Sequence, residues 1–234
     1  MSKQRLKVGV IGCGYWGKNI IRCLSENPYY ELTHCCDIKE EALKKISRLY
    51  PWLILTKDES DILENPSIDA VFIVTPVNTH YSFVKASLEH GKHVFVEKPL
   101  TDSYARGYEL VELAKTKKKI LMVGHIFEYV PAVRKIKELI KTNRIGKIYY
   151  ISSKRVNLGI HRKDVSVIWD LAPHDFSMIF YWLEEEPKSI SCFAKGCIIP
   201  DKPDIAFINL QFPSGIIANI ETVSYTHLTL PTKA

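Results

Sequence analysis

The sequence predicts an α/β protein in two parts. A doubly wound parallel sheet comes first, and a smaller α+β domain with a mainly antiparallel sheet follows. Three observations carry this expectation. Short apolar runs at residues 7–11, 70–74, 93–96 and 120–123 alternate with amphipathic stretches, as parallel strands covered by helices on both faces require. After residue 124 the order changes to one helix followed mostly by strand-like runs. The 234 residues are 46% hydrophobic and 25% charged, which is ordinary for a globular chain and unlike a disordered one.

The elements follow in order. Residues 7–11 read as a buried strand, 12–17 as a glycine loop and 18–25 as a helix. A strand is expected at 32–36 and a Lys/Glu-rich helix at 40–49. Strands at 70–74, 93–96 and 120–123 are separated by helices near 81–89 and 103–115. The second part starts with a helix at 132–140, where Val133, Ile136 and Ile140 fall at helical spacing. Strands are expected near 147–156, 190–195, 205–212 and 216–221, with one helix near 171–183. Pro213-Ser214-Gly215 marks a turn between two alternating runs. These boundaries give a first domain at 1–123 and a second at 124–222.

Several classes are excluded. No apolar run reaches the ~18 residues of a membrane span. The start of the chain runs straight into a strand, leaving no room for a signal peptide, so a cytoplasmic protein is expected. The net charge of +6 is evenly spread, whereas nucleic-acid binders concentrate it. The one dense run, Lys117-Lys118-Lys119, reads as a solvated helix end. None of the six cysteines has C-x-x-C spacing, so no metal site is expected and all are read as reduced. Tyr129, Trp169 and Trp182 are expected in cores, and His125, Asn157 and His161 as structural groups.

Gly12-Cys13-Gly14-Tyr15-Trp16-Gly17 is a G-x-G-x-x-G that follows a strand and opens a helix. In that setting Gly12 permits the tight turn, Gly14 the approach of a pyrophosphate, and Gly17 close helix–strand packing. This is the Rossmann pattern, and the helix start supplies N–H groups to the phosphates. Asp37 ends the next strand, where a carboxylate binds ribose hydroxyls and repels a 2′-phosphate. NAD is therefore expected over NADP, although Lys39 stands close by. A turn or helix-capping aspartate is the other reading of Asp37.

Thr75-Pro76 and Glu97-Lys98-Pro99 each follow a strand, at the sheet edge where ligands bind in such folds. Lys98 is a candidate catalytic group, its ammonium able to hold a hydroxyl and stabilise alkoxide charge. Taken alone, the tripeptide also reads as a solvated loop. Asp170-Leu171-Ala172-Pro173-His174 spaces an acid and a base four residues apart, on one face if helical. The residues equally allow a capping aspartate and a hydrogen-bonded core histidine.

Together these motifs resemble the glucose–fructose oxidoreductase/inositol dehydrogenase/MocA (Gfo/Idh/MocA) family, over residues 5 to about 221. The resemblance implies catalytic roles for Lys98, Asp170 and His174, with Pro99 following a cis peptide. It implies a cofactor site of Gly12, Gly14, Tyr15, Trp16, Gly17 and Asp37 on one side, and Thr75, Pro76, His80, Glu97 and Lys98 on the other. Many members carry Gly before the histidine and Asp three residues after it; Pro173 and Ser177 stand here. The implied activity is hydride transfer between a sugar hydroxyl carbon and NAD. Val156-Asn157-Leu158-Gly159 and the segment 169–175 resemble a branch acting on nucleotide-linked sugars. NAD-dependent glycosidases of the family and a non-catalytic NAD-binding protein are the alternatives. The resemblance also implies a homo-oligomer when full length. Residues 223–234 resemble a translated sequencing adapter, so the chain is expected to be truncated, with an unfinished second sheet and a fragment prone to aggregation or inactivity.

Overall fold

In the computed structural model, which describes residues 5–156 and 165–224, the chain divides into two units, Met1–Gly124 and His125–Ala234. In the first unit, β1 (Leu6–Ile11), α1 (Gly17–Glu26), β2 (Tyr30–Cys36) and α2 (Glu40–Leu49) are followed by β3 (Ile54–Thr56), α3 (Ser60–Leu63) and β4 (Ala70–Ile73). Then come α4 (Val77–Glu89), β5 (His93–Val96), α5 (Tyr104–Lys117) and β6 (Leu121–Val123). The strands form one parallel sheet in the order β3-β2-β1-β4-β5-β6. The order reverses between β1 and β4, the position where the carboxyl ends of such a sheet leave a crevice.

Alternation along β1 supplies both faces. Val8 and Val10 pack with Ile21, Leu24, Cys35 and Ile46 from α1, β2 and α2. Ile11 packs with Ile62, Val71, Val84 and Leu110. Each such aliphatic residue, fully buried, contributes roughly 1.5–3 kcal/mol. Gly9 lies between them because a Cβ there would come within 2.7 Å of Ile62 Cγ2. The buried thiols act as small hydrophobes. A hydrogen bond with Cys13, then burial, pushes the Cys35 thiol up, and burial pushes Cys36 up to about 12. All six cysteines are free thiols.

The second unit opens with a 3₁₀ turn (Ile126–Tyr129), α6 (Pro131–Lys141) and β7 (Tyr150–Val156). It continues with α7 (Val167–Asp170), α8 (Ala172–Leu183), β8 (Ser189–Lys195), β9 (Ile205–Gln211) and β10 (Ile217–Val223). The sheet order is β7-β10-β9-β8. β8, β9 and β10 are antiparallel, and β7 joins β10 in parallel. Ile179 of α8 packs on Ile208, Leu210, Phe212, Ala218 and Ile220. The opposite face carries Tyr150, Phe193, Phe207 and Ile217, all exposed, and β8 is exposed along its whole length.

Several expectations are corrected. Helix α4 starts at Val77, directly after Pro76, rather than near residue 81. Its first turn turns polar groups toward the strand ends, so the apolar period is hidden there. β3, α3 and α7 were not expected; at three or four residues they show no period. Tyr129 is 54% exposed and Trp169 40% exposed rather than in a core. Tyr129 lies beneath the Arg134 guanidinium, 5.0 Å from ring centroid to Cζ. Trp182 donates its indole N–H to the Val133 carbonyl at 3.0 Å. Asn157, His161 and most of the supposed adapter lie outside the described residues.

The second core has a direct test. Phe212 is fully buried and Ile217, on the opposite face, is 51% exposed. Phe212→Ala is expected to destabilise by about 3–5 kcal/mol, and Ile217→Ala by no more than ~0.5 kcal/mol. Urea midpoints of the two variants measure this, and equal shifts would contradict the assigned inner face.

Candidate active site

The glycine loop is shaped by close approaches within the chain. Gly12 has φ +102°, and a Cβ there would lie 2.3 Å from the Val74 carbonyl oxygen. Only glycine adopts that conformation without cost. A Cβ on Gly17 would lie 2.1 Å from the Gly12 oxygen. Gly14 is different: a Cβ there would meet nothing within 4 Å. The first and third glycines thus serve the fold, and the second faces open space at the start of α1. That helix has no side-chain cap and no acidic residue in its first turn, so its leading amides suit an anion.

Asp37 holds this loop. One carboxylate oxygen accepts the Cys13 backbone N–H at 2.7 Å, and the other accepts that of Lys39 at 2.8 Å. Gly12 N–H donates to the Cys36 carbonyl at 2.8 Å. The acid is therefore fixed at the carboxyl end of β2, beside the loop. The glycine cradle, the uncapped helix start and this carboxylate fit the pyrophosphate and ribose of a dinucleotide.

The ends of β4 and β5 complete the same edge. Thr79 donates its hydroxyl to the Pro76 carbonyl at 2.7 Å, and its oxygen lies 2.7 Å from that of Thr75. His80 is buried, with Nδ1 2.8 Å from the Pro99 carbonyl and Nε2 2.8 Å from that of Thr75. Glu97-Lys98-Pro99 follows β5, with a cis Lys98–Pro99 peptide. Burial raises the Glu97 carboxyl above its usual range, against the Trp16 indole N–H, the Lys98 backbone N–H and the Lys98 charge. Trp16, at the start of α1, thus lies near the segment that carries Lys98. A Cβ on Gly124 would lie 3.2 Å from a Glu97 oxygen, so that glycine leaves the carboxyl room. Tyr15, also expected at the cofactor, is almost fully exposed.

The second unit builds its constellation at a helix break. Asp170 ends α7 and His174 lies in the first turn of α8, with Leu171 between the helices. The pair does not share one helix: as Pro173 implies, a new helix starts there, and the proline ring opposes a continuing helix before it. The His174 ring lies 4.7 Å from the Phe127 ring. The Arg155 guanidinium sits 4.9 Å from the same Phe127 ring. Arg155 grips Asp175 through Nε at 2.9 Å and Nη2 at 3.2 Å, and Ser153 donates to the same carboxylate at 2.7 Å. Asp175 is 1% exposed, and these partners compensate the cost of burying it.

Phe127, Arg155 and Asp175 were missed by the sequence reading. The visible signal was Asp175, an acid directly after the candidate histidine in an otherwise apolar helix. Arg155 could not be matched to it, because the pairing joins positions 20 residues apart across β7 and α8. Among the described residues no group of three or more His, Cys, Asp or Glu could hold a metal ion.

The Glu97 environment has a pH signature. The folded state keeps this proton to higher pH than the unfolded chain. Its contribution to stability is therefore full at low pH and falls as pH rises through the carboxylate range. Glu97→Gln removes that fall. The stability of the variant relative to wild type is expected to grow from about pH 4.5 upward. Urea midpoints across pH measure it, and a pH-independent difference would contradict the buried-carboxyl reading.

Comparison with known proteins agrees with the fold. The family described as "Oxidoreductase family, NAD-binding Rossmann fold" matches residues 6–125. The "GFO/IDH/MocA C-terminal domain" matches residues 133–231. Myo-inositol 2-dehydrogenase of Thermotoga maritima is 28% identical, over 92% of this chain and 68% of its own length. UDP-N-acetylglucosamine 3-dehydrogenase of Acidithiobacillus ferrooxidans is 24% identical, over 92% of this chain and 66% of its own. The crystal structure of a myo-inositol dehydrogenase candidate from Sinorhizobium meliloti is 26% identical, with a TM-score of 0.84 over 94% of this chain and 69% of that one. The chain thus spans about two thirds of the length of the relatives it matches. A motif-bearing Rossmann unit and a second unit, each matched by its own family domain, establish that the chain belongs to the Gfo/Idh/MocA oxidoreductase family.

Proposed function

We propose that this protein is an NAD-dependent dehydrogenase that oxidises a hydroxyl-bearing carbon of a sugar, the substrate being a nucleotide-linked sugar. The observation that carries the reading is the joining of three strand ends into one edge. Asp37 binds the Cys13 amide, and Trp16 meets Glu97 beside Lys98. A dinucleotide held by the glycine loop would therefore lie along the segment that bears the lysine. Support for the sugar comes from the inositol and amino-sugar dehydrogenases among the relatives. Support for a nucleotide-linked one comes from the resemblance of segments 156–159 and 169–175.

Bound NAD would supply the hydride acceptor. Asp37 would bind the ribose hydroxyls and disfavour a 2′-phosphate. The Lys98 ammonium would donate to the substrate oxygen and stabilise negative charge as it develops. His174 would take the hydroxyl proton, with Asp170 orienting the ring or a neighbouring hydroxyl. The balance would close: the histidine would take one proton, and the hydride acceptance that bound NAD would supply accounts for the two electrons lost as the carbinol becomes a carbonyl. Placement of these groups supplies much of the acceleration. The same reading makes the full-length protein a homo-oligomer, consistent with the exposed Phe193, Phe207 and Ile217 of the second sheet.

Lys98→Ala is expected to lower kcat by about 10²–10³, while NAD+ affinity stays within a few-fold of wild type. NADH absorbance against a panel of sugars and nucleotide sugars gives the first, and a binding titration the second. Unchanged turnover in a folded variant would refute the role of the lysine.

A further inference from the structure

His80 is a buried titratable group for which the proposed chemistry has no use. It lies in the first turns of α4, 1% exposed, between the ends of β4 and β5. Both ring nitrogens face carbonyl oxygens at 2.8 Å, Nδ1 that of Pro99 and Nε2 that of Thr75. A carbonyl oxygen only accepts, and a neutral imidazole has one N–H and one lone pair. In either tautomer, one contact would set lone pair against lone pair. Both contacts are satisfied when both nitrogens carry hydrogen.

Two effects oppose that charge: burial, and the positive end of the α4 dipole. Two charge-assisted hydrogen bonds of good length act the other way. Tyr81 and Lys85 lie on α4, with Lys85 paired to Glu109 of α5 at 2.8 Å. Arg106 pairs with Asp102 at 3.7 Å. Glu97 and Lys98 lie on the loop that His80 holds, next to Pro99.

We propose that His80 is a positioning residue for Lys98: its doubly protonated ring straps the Pro99 carbonyl to the Thr75 carbonyl and fixes the loop that presents the lysine. This rests on the reading of Lys98 as the active-site lysine. It gives His80 a different part from the direct cofactor contact that the sequence resemblance implied. Its two ring nitrogens face protein carbonyls, and through them it ties the two loops together. Neither loop is a regular element, and a strap is what keeps the lysine from following the thermal motion of its own segment. A misplacement of about 1 Å at a reacting group can cost on the order of 10²-fold in rate.

The experiment has two parts, both on the full chain. The first is a long-range ¹H–¹⁵N spectrum of the histidine-labelled protein near neutral pH, with no sugar present. Both His80 ring nitrogens are expected to carry protons; one protonated and one bare nitrogen would overturn double donation. The second part uses two variants that keep different halves of the ring. The side-chain amide of His80→Asn replaces Nδ1, facing Pro99, and that of His80→Gln replaces Nε2, facing Thr75. His80→Gln is expected to lose at least about tenfold more kcat than His80→Asn, at similar KM and similar NAD+ affinity. The Lys98 ¹³Cε signal, assigned by its loss in Lys98→Ala, should move further in His80→Gln. Equal losses in both variants, with KM and NAD+ affinity weakened together, would overturn the positioning role. If the wild type oxidises no sugar, the proposed function fails. The ring spectrum and the Lys98 signal still decide the strap.

Discussion

At Gly17 the start of α1 passes so close to the end of β1 that a Cβ would lie 2.1 Å from the Gly12 oxygen. That approach sets where α1 begins and where its leading amides stand. It also places Cys13 beside Asp37 and Trp16 beside Glu97, two contacts made from either side of the same loop. A larger residue at 17 must push the helix away from the strand. Both contacts would move with it, and so would the alignment of the loop with the Lys98 segment. The geometry of the whole ligand edge is thus subordinate to one backbone contact that glycine alone permits.

The two units solve the problem of buried charge in different ways. In the first, Glu97 is a carboxyl in a desolvated position near the Trp16 indole, its Oε1 without a hydrogen-bond partner, and its ionised form bears the cost. In the second, Asp175 is more deeply buried and is met by a two-point guanidinium and a hydroxyl. The Arg155 guanidinium then lies against the Phe127 ring, whose neighbour is His174. A charge pair, an aromatic ring and an imidazole in sequence restrict the histidine without requiring a loop to do so. Fixed partners of this kind need no reorganisation when charge develops nearby.

The sheet of the first unit was legible because parallel strands buried on both faces leave uninterrupted apolar runs, and Val8-Gly9-Val10-Ile11 is such a run. The glycine motif was legible because its spacing is tied to a backbone turn. The short elements β3, α3 and α7 were not, since three or four residues cannot display a period. The parallel partner of β10 was hidden for another reason: strand direction is set by which edge is free, and a single strand's pattern does not encode it. Tyr129 was expected in a core, yet a cation on its face offsets its exposure. Arg155 and Asp175 pair across β7 and α8, and long-range pairing leaves no local mark in a sequence. His80 was read as a cofactor group by resemblance; its carbonyl partners, Thr75 and Pro99, became visible only when β4 and β5 were side by side.

The central claim is that the glycine loop and Asp37 form a dinucleotide cradle that discriminates by charge at the ribose. Calorimetric titration of the chain with NAD+ and with NADP+ tests it most directly. The account requires NAD+ to bind at least about tenfold more tightly, since a 2′-phosphate would meet the Asp37 carboxylate. Equal affinity, preference for NADP+, or no binding of either would contradict it.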